Sequence, residues 1–355
     1  MNFDGAAAGS TAANAAETQD EQARQVERIL TEGRAGQPDE TPTAPRRGSV
    51  TAQIEEIFYD SFVRYFKNAE ERRRWDIEKS IPWDKCNPES SDITADIVES
   101  FSAVEMYLPD YTHRIMQLVR QSRGRAWFQA NWGYEESKHS MVLEEWLVRS
   151  GKRTEEQVRD FESQLLGAEW QLPFETSRQM IVYTMIQEMA TGLNYTNLRR
   201  RAESEGDMAL ARTLTWVSSD ESAHYNFFRK SVKAYLALEP EETVADIKYV
   251  FEHFAMPAHA LIPGWDKRGA EIEAAGIYGP KMYLAKIRRP ILEDLGISRQ
   301  QLKDAGLPQA EADEVADQRD ARDEDARHAA ANPTVYEMLG IAPLAPPHRV
   351  RIMTL

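Results

Sequence analysis

The chain between residues 93 and 236 is helical in character. Glycine and proline are sparse there, and Pro173 and the Gly206-Asp207 pair separate apolar-rich segments. No segment alternates apolar and polar residues over the length of a strand, so a sheet is not expected. The pattern predicts an all-α bundle. The predicted helices span residues 93–121, 125–150, 154–166, 174–204 and 207–236.

The two ends of the chain differ from this middle part. Residues 1–48 are rich in Ala, Gly, Ser, Thr, Pro and acidic residues, which predicts a disordered N-terminal arm. Residues 306–355 begin with an acidic and Arg-rich segment and end in a proline-containing tail that is expected to be extended. The folded domain is therefore expected to span residues 49–305.

Composition narrows the possible chemistry. The net charge of −15 argues against general nucleic-acid binding. No secretory or transmembrane segment is recognisable, so a cytoplasmic protein is expected. Cys86 is the only cysteine, which excludes an internal disulfide and any cysteine-based metal site. A bound metal would have to be held by His, Asp and Glu.

Two short motifs combine a carboxylate with an imidazole. Glu136 precedes His139 by three residues, and Glu221 precedes His224 by the same interval. Three residues are close to one helical turn, so both side chains of a motif project from one face and can ligate one metal ion. A single pair is weak support for a site, because a solvated helix face can carry one by chance. The residues around the two pairs therefore decide between a metal site and a chance occurrence.

An isolated glutamate precedes each motif. Glu105 lies 31 residues before Glu136, and Glu188 lies 33 residues before Glu221, both within largely apolar helical stretches. A buried carboxylate costs several kcal/mol unless it is paired or metal-bound. The intervals fit two antiparallel helix pairs with short turns, which resemble an internal duplication.

Folding the two pairs together directs four carboxylates and two imidazoles inwards, the di-metal carboxylate pattern of helical bundles. Four carboxylates carry about −4 and balance two divalent ions. Such ligands suit iron or manganese and leave positions open for oxygen. The alternative is a hydrogen-bonded network of the same side chains without metal, which the cost of burying acids disfavours.

Further polar residues lie beside the motifs. Asp220 is one turn from His224, and Glu135 stands in the same relation to His139, so either could orient an imidazole. Thr191 follows Glu188 on the same helix face, and its hydroxyl could handle protons near bound oxygen. The alternative for Thr191 is a hydrogen bond to its own helix backbone.

At these residues the sequence resembles the soluble acyl-carrier-protein desaturases of the stearoyl type. The resemblance rests on Glu-Glu-Ser-Lys-His at 135–139 and Asp-Glu-Ser-Ala-His at 220–224, each preceded by an isolated glutamate. Further matches lie at 187–191, 205–207 and 256–259, and the resemblance spans roughly residues 55–300. It implies a ferritin-like helical bundle with a four-helix di-iron core and additional helices.

The resemblance also implies roles for single residues. It makes Thr191 the hydroxyl of the oxygen pocket and places Trp132 and Asp220 next to the ligands. The implied iron ligands are Glu105, Glu136, His139, Glu188, Glu221 and His224.

The activity implied by the resemblance is desaturation of a fatty acyl chain carried on acyl carrier protein. Two iron ions form the cofactor, dioxygen is the co-substrate, a ferredoxin-type protein supplies electrons, and the protein is a homodimer. Both protein partners are acidic, so docking requires a basic patch. Three clusters are candidates, although each could also be a solvated helix face. They are Arg72–Arg74, Arg199–Arg201, and Lys281 with Lys286, Arg288 and Arg289.

Other functions remain open at this stage. The same ligands could serve a different di-iron oxygenase, such as a hydroxylase or an N-oxygenase, because a metal site does not fix the substrate. A ferritin-like iron-storage protein is a second alternative, although the chain is much longer than a bundle requires. A ribonucleotide reductase small subunit ranks lower, since no well-placed radical tyrosine is apparent.

Overall fold

The computed structural model describes residues 50–174 and 176–306. The predicted N-terminal arm and residues 307–355 of the predicted C-terminal segment lie outside this part, so the domain prediction stays a prediction. The described residues are mainly helical and contain no strand, which confirms the all-α prediction. None of the described helices is long and apolar enough to cross a lipid bilayer.

The α-helices are numbered here in chain order. The first seven are α1 Val50–Asn68, α2 Ile77–Ser80, α3 Asp92–Glu105, α4 Leu108–Leu118, α5 Arg123–Arg149, α6 Glu155–Leu165 and α7 Ser177–Ser204. The others are α8 Met208–Leu238, α9 Pro240–His253, α10 Trp265–Ala274, α11 Pro280–Met282, α12 Arg289–Leu295 and α13 Arg299–Asp304. Two π-helical segments, Ala69–Arg73 and Tyr283–Arg288, and two short 3₁₀ turns, Trp83–Lys85 and His259–Leu261, lie between them.

Helices α3, α5, α7 and α8 form the centre, and α1 packs against α5 and α8. The central helices are buried on several faces: every side chain from Gln179 to Ile186 in α7 is buried, and so are the large rings of Trp132 and Trp146 in α5. A helix that is apolar around most of its circumference belongs in the middle of a bundle. The predicted helices 125–150, 174–204 and 207–236 correspond to α5, α7 and α8.

The prediction of one helix over residues 93–121 is wrong, because the chain forms two helices there, α3 and α4. Pro109 explains the break: it lacks a backbone N–H, and its ring would clash with the carbonyl of Glu105 in a continuous helix. Helix α3 ends at Glu105, and Pro109 occupies the first turn of α4, where its missing N–H costs little. The ligand candidate Glu105 therefore lies at a helix end.

Helices α1 and α5 are in close backbone contact at Gly124. A Cβ atom at this position would lie 2.4 Å from the carbonyl carbon of Phe58 and 2.4 Å from the backbone nitrogen of Tyr59. Backbone atoms cannot move aside like the end of a side chain, so Gly124→Ala should force the two helices apart. We expect a loss of about 2–3 kcal/mol in the free energy of unfolding, measured by urea titration.

Gly167→Ala is the matched control for this prediction. Gly167 is exposed, and the nearest atom to an added Cβ is the carbonyl oxygen of Gln164 at 3.6 Å, which is an ordinary contact. Its stability should change by less than about 0.5 kcal/mol. Equal unfolding midpoints for the two variants would contradict the close approach of α1 and α5.

Candidate metal centre

The six predicted ligands lie together inside the four central helices. Helix α3 contributes Glu105, α5 contributes Glu136 and His139, α7 contributes Glu188, and α8 contributes Glu221 and His224. All six side chains are buried, and the two imidazoles are 0% exposed. The structure therefore brings all six side chains together in the interior of the bundle.

The side chains form two overlapping groups of potential ligands. One group comprises Glu105, Glu136, His139 and Glu221, and the other Glu136, Glu188, Glu221 and His224. Within each group the ligand atoms lie within 4.8 Å of one another, which is close enough to surround one ion. Glu136 and Glu221 belong to both groups. This overlap is the arrangement that two neighbouring ions with two bridging carboxylates require.

Unpaired ligand atoms show that the cluster fits metal better than it fits hydrogen bonding. Seven buried atoms have no hydrogen-bond partner among the described residues: one oxygen each of Glu136 and Glu188, both oxygens of Glu221, both ring nitrogens of His139, and Nδ1 of His224. Several of them face one another without hydrogen-bond geometry, such as His224 Nδ1 and Glu136 Oε1 at 2.9 Å, so they converge on a shared space and do not form a satisfied network. Carboxylate oxygens and imidazole nitrogens are the ligands that iron and manganese accept.

The electrostatics of the cluster agree with this interpretation. Burial, together with the neighbouring carboxylates, raises the pKa values of Glu105 and Glu188 well above their usual range. For His139, burial acts to lower the pKa, but the carboxylate of Glu136 and its neighbours raise it well above the usual range. Excess negative charge in a buried space is the condition that divalent cations relieve.

Two acidic residues orient the imidazoles, but not in the predicted pairing. Asp220 Oδ2 lies 3.5 Å from His139 Nε2, and Glu135 Oε2 lies 3.0 Å from His224 Nε2. Each acid thus faces the imidazole of the neighbouring helix, because its side chain points across the α5–α8 interface and not along its own helix. Glu135 is 2% exposed, so it is not a solvated residue on the helix surface.

A second set of residues holds these two acids. Arg73 Nη1 donates to Asp220 Oδ1 at 2.9 Å, and Arg74 Nη1 donates to Glu135 Oε1 at 2.7 Å. The Tyr65 hydroxyl donates to Glu135. Burial acts to raise the pKa of Glu135, but the hydrogen bond and charge of His224 and the contacts of Tyr65 and Arg73 lower it to about 2.

The candidate docking cluster Arg72–Arg74 is therefore largely part of this site. Its outer member Arg72 is exposed, whereas Arg73 and Arg74 turn inwards. Sequence reasoning missed this role, because the contacts span 61 and 147 residues and leave no local pattern. The available signal was the position of three arginines directly before Trp75, which also faces the site.

Two aromatic side chains bond directly to predicted ligands. Trp132 Nε1 donates to Glu188 Oε1 at 2.8 Å, so the predicted neighbour of the site fixes the orientation of a carboxylate. Tyr195 Oη donates to Glu105 Oε1 at 2.5 Å. This contact of Tyr195 with a predicted ligand has no counterpart among the sequence-based predictions.

Thr191 lies beside the cluster and borders a cavity. Its hydroxyl donates to the backbone oxygen of Gln187 at 2.9 Å, which is the bond back to its own helix that sequence reasoning had weighed. The hydroxyl oxygen can still accept a hydrogen bond from a proton donor in the cavity. Both the local bond and a role at the site are therefore compatible with the geometry.

A cavity of about 380 Å³ runs from the cluster towards the surface. Glu105, Thr191 and Asn194 line it near the ligands, while Tyr278 and Tyr283 line it further out. Its wall is predominantly apolar, as a site for a hydrocarbon ligand requires. The segment at 256–259 that contributed to the resemblance lines the same cavity, with Ala258 in the left-handed conformation at φ 54°.

Comparison with known proteins decides the family. The sequence model described as "Fatty acid desaturase" matches residues 90–330, about two thirds of the chain. The chain belongs to the fatty acid desaturase family. This match includes all six residues of the cluster, and it agrees with the resemblance found from the motifs.

Curated members of the desaturase family show the same relationship. The chain is 30% identical over 174 residues to a chloroplastic stearoyl-[acyl-carrier-protein] 9-desaturase of Helianthus annuus, which covers 48% of this chain and 44% of that protein. It is 30% identical over 201 residues to the corresponding protein of Carthamus tinctorius, covering 54% and 50%. The chain thus spans about half the length of the curated relatives it matches.

A solved desaturase-family structure supports the fold. The X-ray structure of DesA2 of Mycobacterium tuberculosis, described as a candidate acyl-ACP desaturase, matches with a TM-score of 0.53 at 19% identity. The match covers 72% of this chain and 98% of that chain. Together with the buried cluster at the centre of the four helices, it confirms the predicted ferritin-like fold class.

Proposed function

We propose that this protein desaturates a fatty acyl chain carried on acyl carrier protein, using a di-iron centre, dioxygen and electrons from a ferredoxin-type donor. One observation carries the proposal: two groups of potential metal ligands share Glu136 and Glu221, and Glu105 of one group lines a mainly apolar cavity. The names of the curated relatives, which are acyl-carrier-protein desaturases, support the substrate class.

In this proposal the six-residue cluster holds two iron ions. Glu105 and His139 would hold one ion, Glu188 and His224 would hold the other, and Glu136 and Glu221, which belong to both groups, would contribute to both. Once bound, the iron pair would activate dioxygen, the oxidant that breaks an unactivated methylene C–H bond, which no amino-acid side chain can do. The protein holds the ligands in place through the hydrogen bonds from Trp132 to Glu188 and from Tyr195 to Glu105.

The cavity would bind the acyl chain next to the cluster. Its apolar wall excludes water from the reacting carbon atoms and holds two adjacent methylene groups near the metal pair. Thr191 would accept or pass a proton at its hydroxyl oxygen, because it borders both the cavity and the helix turn that carries Glu188.

A product analysis tests the proposed reaction. The iron-loaded protein is incubated with stearoyl acyl carrier protein, reduced ferredoxin and oxygen, and the released acyl chains are analysed by mass spectrometry. We expect a product that lacks two hydrogen atoms and contains one cis double bond. A product that has gained an oxygen atom would instead indicate a hydroxylase. Iron uptake into a large cage without any acyl product would indicate storage.

The carrier protein should dock at the outer end of the cavity. Of the three basic clusters, Arg72–Arg74 is largely engaged in the site, and Arg201 bonds to Thr94 and Ser91. Lys281 and Lys286 are exposed and flank Tyr283 in sequence, which lines the cavity. We therefore assign docking of the acidic carrier protein to this third cluster.

Charge reversal tests this docking surface. In the double variant Lys281→Glu/Lys286→Glu we expect the KM for acyl carrier protein to rise by about fivefold to tenfold at low salt and the difference to shrink at high salt. Arg199→Glu is the control, because Arg199 pairs with Glu203 on α7. An equal response of both variants would reject the assignment.

We also propose that the protein is a cytoplasmic homodimer. Trp127, Tyr134 and Met141 are 48%, 52% and 56% exposed and recur every seven residues, so they form an apolar stripe on one face of α5. A second copy would cover this stripe. Sedimentation of the protein and of Tyr134→Glu should show a dimer for the first and a monomer for the second. A monomeric wild type would contradict this part.

A further inference from the structure

A pair of stacked indole rings connects the surface to the metal-ligand cluster. Trp75 is 6% exposed, and its Nε1 donates to Asp220 Oδ2 at 2.7 Å. The same carboxylate oxygen lies 3.5 Å from Nε2 of the predicted ligand His139. On the outer side, Trp75 stacks on Trp216 with ring centroids 6.3 Å apart and an angle of 13° between the planes.

Trp216 lies on α8, one helical turn before Asp220, and is half-buried. Its indole N–H makes no hydrogen bond among the described residues, so stacking and not a polar contact sets the position of the ring. The guanidinium of the exposed Arg212 covers the ring at 4.7 Å from its centroid. No carboxylate of the described residues forms an ion pair with Arg212.

We propose that Trp216 and Arg212 form the contact surface for the one-electron donor, and that Trp216 is the residue through which electrons pass inwards. The inference rests on the proposed function, since that function needs a reduced iron–sulfur protein. A half-buried tryptophan beside an exposed arginine is typical of the residues that dominate protein interfaces. The positive charge of Arg212 matches an acidic carrier.

The electron balance is simple. Each reduced iron–sulfur protein gives up one electron, so two successive transfers would reduce a bound iron pair by two electrons. The electron passes from Trp216 to Trp75, through the hydrogen bond from Trp75 to Asp220, and across the 3.5 Å contact between Asp220 and His139. No bond of the conduit is made or broken. The ammonium of Lys138 lies 3.8 Å from the Trp75 ring centroid and disfavours a positive charge on that ring. The indoles therefore conduct electrons to the oxidised metal without themselves being oxidised.

Stopped-flow reduction of the iron-loaded, oxidised protein tests the inference. Reduced plant-type ferredoxin is the donor, and dithionite with a small viologen mediator is the comparison that needs no docking surface. For Trp216→Leu we expect the limiting rate with ferredoxin to fall by about tenfold, whereas the rate with the mediator and the iron content stay unchanged. For Arg212→Glu we expect mainly a higher ferredoxin concentration for half-maximal reduction rate. At high salt this concentration should approach that of the wild type.

Trp83→Leu is the matched control. Arg149 covers Trp83 at 4.9 Å in a similar way, but Trp83 does not stack on Trp75 in the part of the chain that the structure describes. Equal ferredoxin rates for Trp216→Leu and Trp83→Leu in iron-loaded protein would overturn this inference alone. A chain that binds no iron would overturn the proposed function as well, so the two failures are distinguishable.

Discussion

Replacing Glu221 by alanine is expected to abolish tight binding of both metal ions, whereas replacing Glu105 by alanine should leave one ion bound. The difference follows from geometry, because Glu221 belongs to both groups of potential ligands and Glu105 belongs to only one. Loss of a residue that merely supports a ligand costs about 10–100-fold in metal affinity, and loss of a bridging ligand should cost more. Iron per chain, measured after anaerobic reconstitution and desalting, distinguishes the two variants.

Glu145→Ala is the control for these variants. Glu145 lies on the same helix as Glu136, but it is near the surface and pairs with Arg149. It should retain the iron content of the wild type. Circular dichroism establishes whether the Glu221 variant still folds, and rescue by Glu221→Asp, which keeps a carboxylate, would separate lost ligation from lost structure. Full iron content in folded Glu221→Ala would contradict a bridging position.

Replacing Asp207 by alanine should cause one of the largest losses of stability in this protein. Asp207 is 0% exposed, and its Oδ1 caps α8 by accepting from the backbone nitrogen of Leu210 at 2.8 Å. Its Oδ2 accepts from Trp146 Nε1 at 2.9 Å, from Ser90 Oγ at 3.0 Å and from the backbone nitrogen of Asn87 at 3.1 Å. One carboxylate thus joins the loop before α3 to α5 and α8.

Alanine at this position would leave those buried donors without an acceptor. We expect the free energy of unfolding to fall by about 3–5 kcal/mol. Each unsatisfied buried donor costs about 1–3 kcal/mol, and local rearrangement recovers part of the summed cost. Urea unfolding followed by circular dichroism measures the change. Asp76→Ala is the control: Asp76 also caps a helix, α2, but is exposed, so its midpoint should shift much less. Equal shifts would contradict the central position of Asp207.

The sequence predicted the ligand cluster because its information is local. A glutamate and a histidine three residues apart share a helix face, and an isolated glutamate in an apolar helix must be neutralised. These two rules identified all six residues that the structure brings together. The boundaries of α5, α7 and α8 were predicted within a few residues, because Pro173 and Gly206 mark real interruptions.

Contacts between distant parts of the chain could not be predicted in this way. Arg73 and Trp75 bond to Asp220 from a segment about 150 residues earlier in the chain. The local sequence around these residues contains no pattern that predicts the contact. The pairing of Asp220 with His139 depends on how α5 and α8 face each other, which the spacing within one helix does not determine. The break between α3 and α4 was predictable from Pro109 but was not recognised.

The iron content of the reconstituted wild-type protein tests the central claim most directly. The purified chain is loaded with ferrous iron without oxygen, desalted and analysed for tightly bound iron. The shared carboxylates and the unpaired ligand atoms predict close to two ions per chain, and a single ion in Glu105→Ala. A wild-type value of zero or one would mean that the buried carboxylates have another purpose, and the proposed desaturation would have to be abandoned.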